Sequence, residues 1–225
     1  MRGAETLAQA AAAEGVRNFV QVSAIGAHAE SDSDYSRTKA EGEQAVRAAI
    51  PTADIMRPSI IFGAEDQFFN RFAAMAQFAP ALPLMGGGAT KFQPVYVGNV
   101  AQAIAKVATQ GTTGKTYELG GPRCYSFKEL MQFTLGTIDR KRFLAPLPWF
   151  AANMMGFAGE ISGMAPFVKP FLTRDQVKNL KIDNIVSDDA LSFSDLGINL
   201  ETIEAIVPTY LGRFRKYGQF HEKRA

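Results

Sequence analysis

The sequence predicts an α/β fold: a parallel sheet with helices on its faces, followed by a smaller, mostly helical C-terminal part. Three observations carry this. The chain opens helix-then-strand, with an alanine-rich segment over residues 6–14 and an apolar run over 16–22. That run lacks clean alternation, as strands covered on both faces do. Helical patterns over 33–49, 67–78 and 100–109 then alternate with short apolar runs at 55–56, 92–97 and 116–119, the order expected of βαβ units.

Each element has a local reason. Residues 6–14, TLAQAAAAE, are strong helix formers, and Gly15 stands where a left-handed residue ends a helix. Asn18-Phe19-Val20-Gln21-Val22 delivers Ser23 at a strand end. Asp32 or Ser33 can cap the next helix, which runs to about Ala49 and is stopped by Pro51. Ile55 and Met56 form a short buried strand, Arg57-Pro58 a bend, and Ile60 to Gly63 an apolar exit. Phe68, Phe69, Phe72, Met75 and Phe78 recur at helical spacing and read as core. Pro80 and Pro83 then break the helix, and Gly86-Gly87-Gly88 reads as a mobile turn. The triple glycine lacks the Lys-Ser/Thr that follows a phosphate loop. Asn99 is placed to cap the helix over 100–109, and Ser126 caps one through about Phe133, with Glu129 as its capping-box partner. Thr173 caps another. A last helix is expected from Leu200 to about Tyr217, with Arg213, Arg215 and Lys216 near its end complementing the macrodipole. The tail over 221–224 reads as frayed and solvated.

Composition narrows the function classes. The 225 residues are 47% hydrophobic and 20% charged, with a net charge of +2, which argues against nucleic-acid binding. Cys124 is the single cysteine, so no internal disulfide forms, and it reads as a structural thiol. His28 and His221 have no metal-ligand spacing. No signal peptide or transmembrane segment is read. The most apolar stretch, 143–159, has Asn153 as its one polar residue and follows Arg140-Lys141-Arg142. Pro146 and Pro148 exclude a spanning helix there. Packing of the C-terminal part, a pocket wall, a partner face and contact with a membrane surface all remain open for it.

The chemistry-bearing set is Ser23, Tyr35 and Lys39. Tyr35 and Lys39 stand four apart at the start of a helix, hence on one face. An ammonium near a phenol favours the phenolate, so a lowered Tyr35 pKa is expected, suited to proton transfer near neutral pH. A serine hydroxyl at the preceding strand end can hold a substrate oxygen. Tyr-x-x-x-Lys alone is a weak signal; its place behind a strand ending in Ser strengthens it.

These residues resemble the catalytic triad of the short-chain dehydrogenase/reductase superfamily. From Asn18 onward the chain resembles one atypical, NAD-dependent epimerase/dehydratase-like branch. That branch contains the nucleotide-binding accessory subunit of respiratory complex I and its bacterial relatives. The resemblance rests on Val22-Ser23, residues 35–43, residues 57–63, residues 65–68, Gln93-Pro94-Val95-Tyr96-Val97 and Thr173-Arg174-Asp175. It implies the C-terminal portion of a Rossmann-type parallel sheet with its first strands missing. Residues 1–119 would be the remainder of the NAD(P)-binding domain, with a helical insertion at 64–90, and 120–225 a small C-terminal subdomain. Ser23, Tyr35 and Lys39 would be catalytic, and Tyr35, Lys39, Pro58, Ser59 and Ile60 would contact the cofactor, NAD(P)(H), with NADP(H) the expected form. No glycine-rich turn precedes Ser23, so the chain looks N-terminally truncated, and nucleotide binding by these residues is expected to be weak or absent.

The expected role is that of an NAD(P)-binding accessory subunit, structural or weakly catalytic, linked to the respiratory chain and quinone metabolism. Its partner would be complex I or another membrane-associated complex. Its place would be the cytoplasm, at the inner face of an energy-transducing membrane, with peripheral membrane contact through 143–159. The alternatives are a free NAD(P)-dependent reductase, epimerase or dehydratase using the Ser-Tyr-Lys set, and a protein-binding module on a vestigial dehydrogenase fold.

Overall fold

The computed structural model describes residues 2–163 and 172–218. The tail over 221–224 therefore lies outside the described residues. Helix α1 (Arg2–Ala13) ends at Gly15, whose φ of +71° is the left-handed stop read from sequence. Strand β1 (Val20–Val22), helix α2 (Asp34–Ala49), strand β2 (Asp54–Pro58) and strand β7 (Thr116–Leu119) build a three-stranded parallel sheet in the order β1-β2-β7. Met56 lies opposite Val22 on one side and Tyr117 on the other. Strand β1 is shorter than expected and is the sheet's edge among the described residues, and Val22 is 38% exposed there. Helix α4 (Val97–Gln110) packs on this sheet, with Val100, Ala103 and Val107 buried alongside Met56, Tyr117 and Leu119.

The remaining strands form three pairs. Strand β3 (Ile61–Phe62) runs parallel to β6 (Val95–Tyr96), and β5 (Lys91–Phe92) antiparallel to β8 (Tyr125–Ser126). Strand β4 (Ala81–Met85) runs parallel to β9 (Phe143–Leu147). This last pair was not read from sequence, because Pro83 and Pro146 look like breaks. In a two-stranded ribbon each strand keeps one free edge, where a missing N–H is tolerated. The 92–97 run divides at Gln93-Pro94 into β5 and β6 rather than forming one strand.

Helices α3 (Phe69–Phe78), α5 (Phe127–Thr137) and α8 (Ile203–Leu211) share a core with β4. Phe69, Phe72, Phe127, Leu130, Ile203 and Leu211 are buried in it, and Phe68 packs edge-on to Phe69, Phe72 and Phe127. The capping box of Ser126 and Glu129 is present. Helix α6 (Trp149–Gly163) leads toward helix α7 (Arg174–Asn179), which carries its own capping box from Thr173 to Gln176.

Four sequence expectations need correction. Asn99 lies inside α4 rather than capping it: its amide donates to Asn199 O at 3.1 Å and accepts from the Glu201 N–H at 3.0 Å. Helix α8 stops at Leu211, so Arg213, Arg215 and Lys216 fall beyond it. The triple-glycine turn is packed rather than mobile. All three glycines have positive φ, and a Cβ on Gly86 would lie 2.1 Å from the Trp149 ring. Cys124 is exposed rather than a packed thiol.

Where β7 ends, Gly121 exchanges backbone and side-chain bonds with Gln93, and an added Cβ would stand 1.8 Å from Pro94 O. The Gly121→Ala variant is therefore expected to lose roughly 1–3 kcal/mol of stability by overpacking against backbone, read as a lower urea midpoint at unchanged slope.

Candidate functional site

A cavity of about 850 Å³ opens at the C-terminal ends of β1 and β2, and Ser23, Tyr35, Lys39, Pro58, Ser59 and Ile60 all line it. The sheet geometry explains the convergence. Beyond the strand ends the pairing continues, with the Ser23 N–H donating to Met56 O at 2.7 Å and the Ile25 N–H to Pro58 O at 3.0 Å. Ser23 and residues 58–60 are thus fixed side by side. The helix that follows β1 presents Tyr35 and Lys39 to the same opening.

Ser23 is 4% exposed, and its Oγ is the buried side-chain polar atom that has no hydrogen-bond partner among the described residues. Buried hydroxyls are nearly always paired, so this one, lining a cavity, is free to bond a water or a ligand atom there. Lys39 Nζ lies 5.6 Å from the centroid of the Tyr35 ring, over its face. Tyr35 is 49% exposed, yet burial of its phenol pushes the pKa up from the usual tyrosine value. The expected lowering by Lys39 is therefore corrected in direction: desolvation prevails. Ser59 is spent on structure. Its Oγ donates to the Asn184 side chain at 2.6 Å and to Asn184 O at 2.9 Å, drawing in a segment of the C-terminal part. Pro58, Ser59 and Ile60 still line the cavity, but the Ser59 hydroxyl is engaged within the protein.

Two groups of residues that position the site were missed in the sequence. Arg57 on β2 makes a bidentate contact with Glu43 of α2, Nε to Oε1 at 2.9 Å and Nη2 to Oε2 at 2.6 Å, and lies 3.8 Å from Glu118 of β7. The Glu43 hydrogen bond raises the guanidinium pKa further. Asp175 and Asn179 of α7 reach across to the start of α2. The signal for Asp175 was its place in the Thr-Arg-Asp block, but sequence alone gave it no partner. Two aspartates and two cations line the cavity: Asp175, Asp183, Lys39 and Arg71, the last with its pKa lowered by burial. Among the described residues no cluster of His, Cys, Asp or Glu could hold a metal ion.

The sequence pattern of the NAD dependent epimerase/dehydratase family matches residues 1–120. The chain belongs to that family. It is 38% identical over 210 residues to the mitochondrial NADH dehydrogenase (ubiquinone) 1 alpha subcomplex subunit 9 of Arabidopsis thaliana, covering 91% of this chain and 52% of that protein. To the Mus musculus subunit of the same name it is 36% identical over 213 residues, 94% of this chain and 55% of that one. The chain thus spans about half the length of these complex I relatives. Among solved structures, the dTDP-glucose 4,6-dehydratase of Streptomyces venezuelae with bound NAD superposes with a TM-score of 0.58 at 23% identity, covering 65% of this chain and 52% of that one. That likeness supports the Rossmann-type fold.

With its pKa raised, the Tyr35 phenol stays protonated through neutral pH in the ligand-free protein. A difference titration near 295 nm, wild type against Tyr35→Phe, is expected to show a phenolate midpoint for this residue above the usual tyrosine value of about 10. A midpoint near pH 7 would restore the Lys39-dominated picture.

Proposed function

We propose that this family member binds the nicotinamide end of NAD(P)(H) in the cavity beneath Tyr35 and serves as an accessory subunit of the complex I type, structural or weakly catalytic. The observation that carries the reading is the meeting of Ser23, Tyr35 and Lys39 at one opening, with the Ser23 hydroxyl unpartnered among the described residues. In this reading Lys39 anchors the nicotinamide ribose, and the Pro58–Ile60 backbone packs against the ring. The cofactor, when bound, supplies hydride donor or acceptor chemistry. Ser23 orients a substrate oxygen. Tyr35, protonated at neutral pH, gives that oxygen its proton, which is general-acid catalysis at the phenol oxygen. These contacts grip one end of the dinucleotide, so binding by the 225 residues alone is expected to be weak, with NADP(H) the expected form. A micromolar NADPH affinity in a fluorescence titration of this chain would contradict that expectation.

The partner proposed is respiratory complex I or a similar membrane-associated complex, placing the protein in the cytoplasm at the inner face of an energy-transducing membrane. The stretch over 143–159 fits peripheral contact with an anionic bilayer surface. On α6, Phe150, Met154 and Phe157 are each more than half exposed at helical spacing, and Ile161 continues the row. The exposed Lys141 lies just ahead in the chain. No described helix is long and apolar enough to cross a membrane. A Phe150→Glu, Phe157→Glu double variant is expected to cut co-sedimentation with vesicles containing anionic lipid at least several-fold while leaving thermal stability near wild type. Unchanged sedimentation would end the membrane-contact reading.

A second reading, a free NAD(P)-dependent reductase, epimerase or dehydratase, is favoured by the completeness of the same three side chains. The equal numbers of cationic and anionic lining residues, and walls that include Ile60, Ile61, Phe68 and Ile182, suit a substrate of low charge. Under this reading Tyr35→Phe lowers turnover about 10²–10⁴-fold. A rate equal to wild type would leave the subunit reading standing and remove Tyr35 from the chemistry.

A further inference from the structure

The structure assigns Asp175 a role as the positioning residue of the Tyr35 helix: from the C-terminal part of the chain it supplies the acceptors that complete the N-terminus of α2. The first turn of a helix has N–H groups with no partner inside the helix. In α2 each of them can be traced. The Ser36 N–H donates to the Ser33 hydroxyl at 3.3 Å, which is the local cap read from sequence. The Asp34 N–H donates to Asp175 Oδ1 at 2.7 Å, and the Tyr35 N–H to Asp175 Oδ2 at 3.1 Å. The Ser33 hydroxyl donates to Oδ2 as well, at 3.0 Å. The backbone of Tyr35 is therefore tied to a carboxylate 140 residues away in the chain, and that carboxylate also meets the positive end of the helix dipole.

Asp175 is itself held from behind. A Cβ on Gly156 of α6 would fall 2.8 Å from Arg174 N, so the two helices touch backbone to backbone. The Arg174 N–H and Nε donate to the two oxygens of Glu160 on α6 at 2.9 and 2.8 Å. One turn further along α7, Asn179 donates to the Ser33 hydroxyl at 2.8 Å and accepts from the Ser36 hydroxyl at 3.1 Å. Ser33 and Ser36 are buried beneath these contacts. Helix α6 thus backs α7 through Arg174, and α7 meets the Asp34 and Tyr35 backbone through Asp175. Asp175 and Asn179 also line the cavity, so a molecule seated there meets the same side chains that fix the Tyr35 turn. An amide cannot replace this carboxylate: both oxygens accept from N–H groups, and an amide would turn its NH₂ toward one of them.

The importance of this placement rests on the proposed role of Tyr35; the placement itself is testable without turnover or nucleotide. The protein is labelled with 3-fluorotyrosine, and the Tyr35 signal is picked out from the six tyrosines by its loss in Tyr35→Phe. In Asp175→Asn the Tyr35 fluorine resonance is expected to shift or broaden while the other tyrosine signals hold. The Asp34 and Tyr35 amides are expected to exchange roughly tenfold faster, the usual scale of losing a cap. Lys178→Met, which removes a neighbouring bond to Asp32 O, is expected to leave the Tyr35 resonance in place. Unchanged fluorine and exchange signals in Asp175→Asn would overturn the positioning role and leave the Ser-Tyr-Lys reading untouched; a null result for Tyr35→Phe turnover would do the reverse. If Asp175→Asn does not fold, scalar coupling across the hydrogen bonds from the Asp34 and Tyr35 amide nitrogens to the Asp175 carboxyl carbon, measured in wild type, decides the matter. Its presence supports the assignment and its absence refutes it.

Discussion

The Arg57 guanidinium between Glu43 and Glu118 is the contact on which the arrangement of the site depends. It joins the middle strand of the sheet to the helix that carries Tyr35 and Lys39, and to the strand on the other side. Both carboxylates are nearly buried and Arg57 keeps a quarter of its side chain exposed. Such a group is costly to break, because removing the cation leaves two carboxylates in poor solvent, though its net gain over an apolar packing can be small. Its value here is geometric. A planar fork that meets Glu43 through two parallel bonds fixes the rotation of α2 over the sheet, and so fixes which face of α2 looks into the cavity.

With that rotation set, the remaining freedom of α2 lies along its axis and in its first turn. Ser33 caps it locally, and α7 closes it from outside. The helix bearing the site is therefore pinned at one end by the C-terminal part and along its length by the sheet. The C-terminal part also returns to the sheet itself: Leu191 bridges to Tyr117, and Phe193 and Leu196 are buried with Met56 and Leu119. Ser59, whose hydroxyl ends on Asn184, is a further tie. The site is made by the crossing of segments far apart in sequence, and little of it would survive if either part were loosened.

What could be read from the sequence follows from this division between local and distant causes. The caps at Ser33, Ser126 and Thr173, the stop at Gly15 and the shared face of Tyr35 and Lys39 depend on residues within four positions of each other, and all are present. The β4–β9 ribbon was hidden because its prolines are forbidden in a central strand and allowed in a pair, and strand number is a tertiary property. Asn99 stands where the resembled family carries a capping Asp, whereas its amide serves residues 199 and 201. The direction of the Tyr35 shift is not legible in the sequence, where a neighbouring cation is visible and desolvation is not.

Ser23 shows the same contrast in its sharpest form. Its hydroxyl is buried and has no partner among the described residues, a condition that costs about 1–3 kcal/mol relative to a satisfied group. An alanine there would avoid the cost and keep the strand pairing through the same backbone N–H. Every other buried polar side chain in this region is tied to a neighbour, as Ser33, Ser36, Glu43, Ser59 and Glu118 illustrate. Ser23 Oγ differs from these in lining the cavity without such a tie. A ligand oxygen that meets the hydroxyl recovers the missing bond in a site of low dielectric, where a single hydrogen bond counts for more than it does in water. In the proposed reading, that recovered bond is what Ser23 contributes to holding a ligand in the cavity it shares with Tyr35.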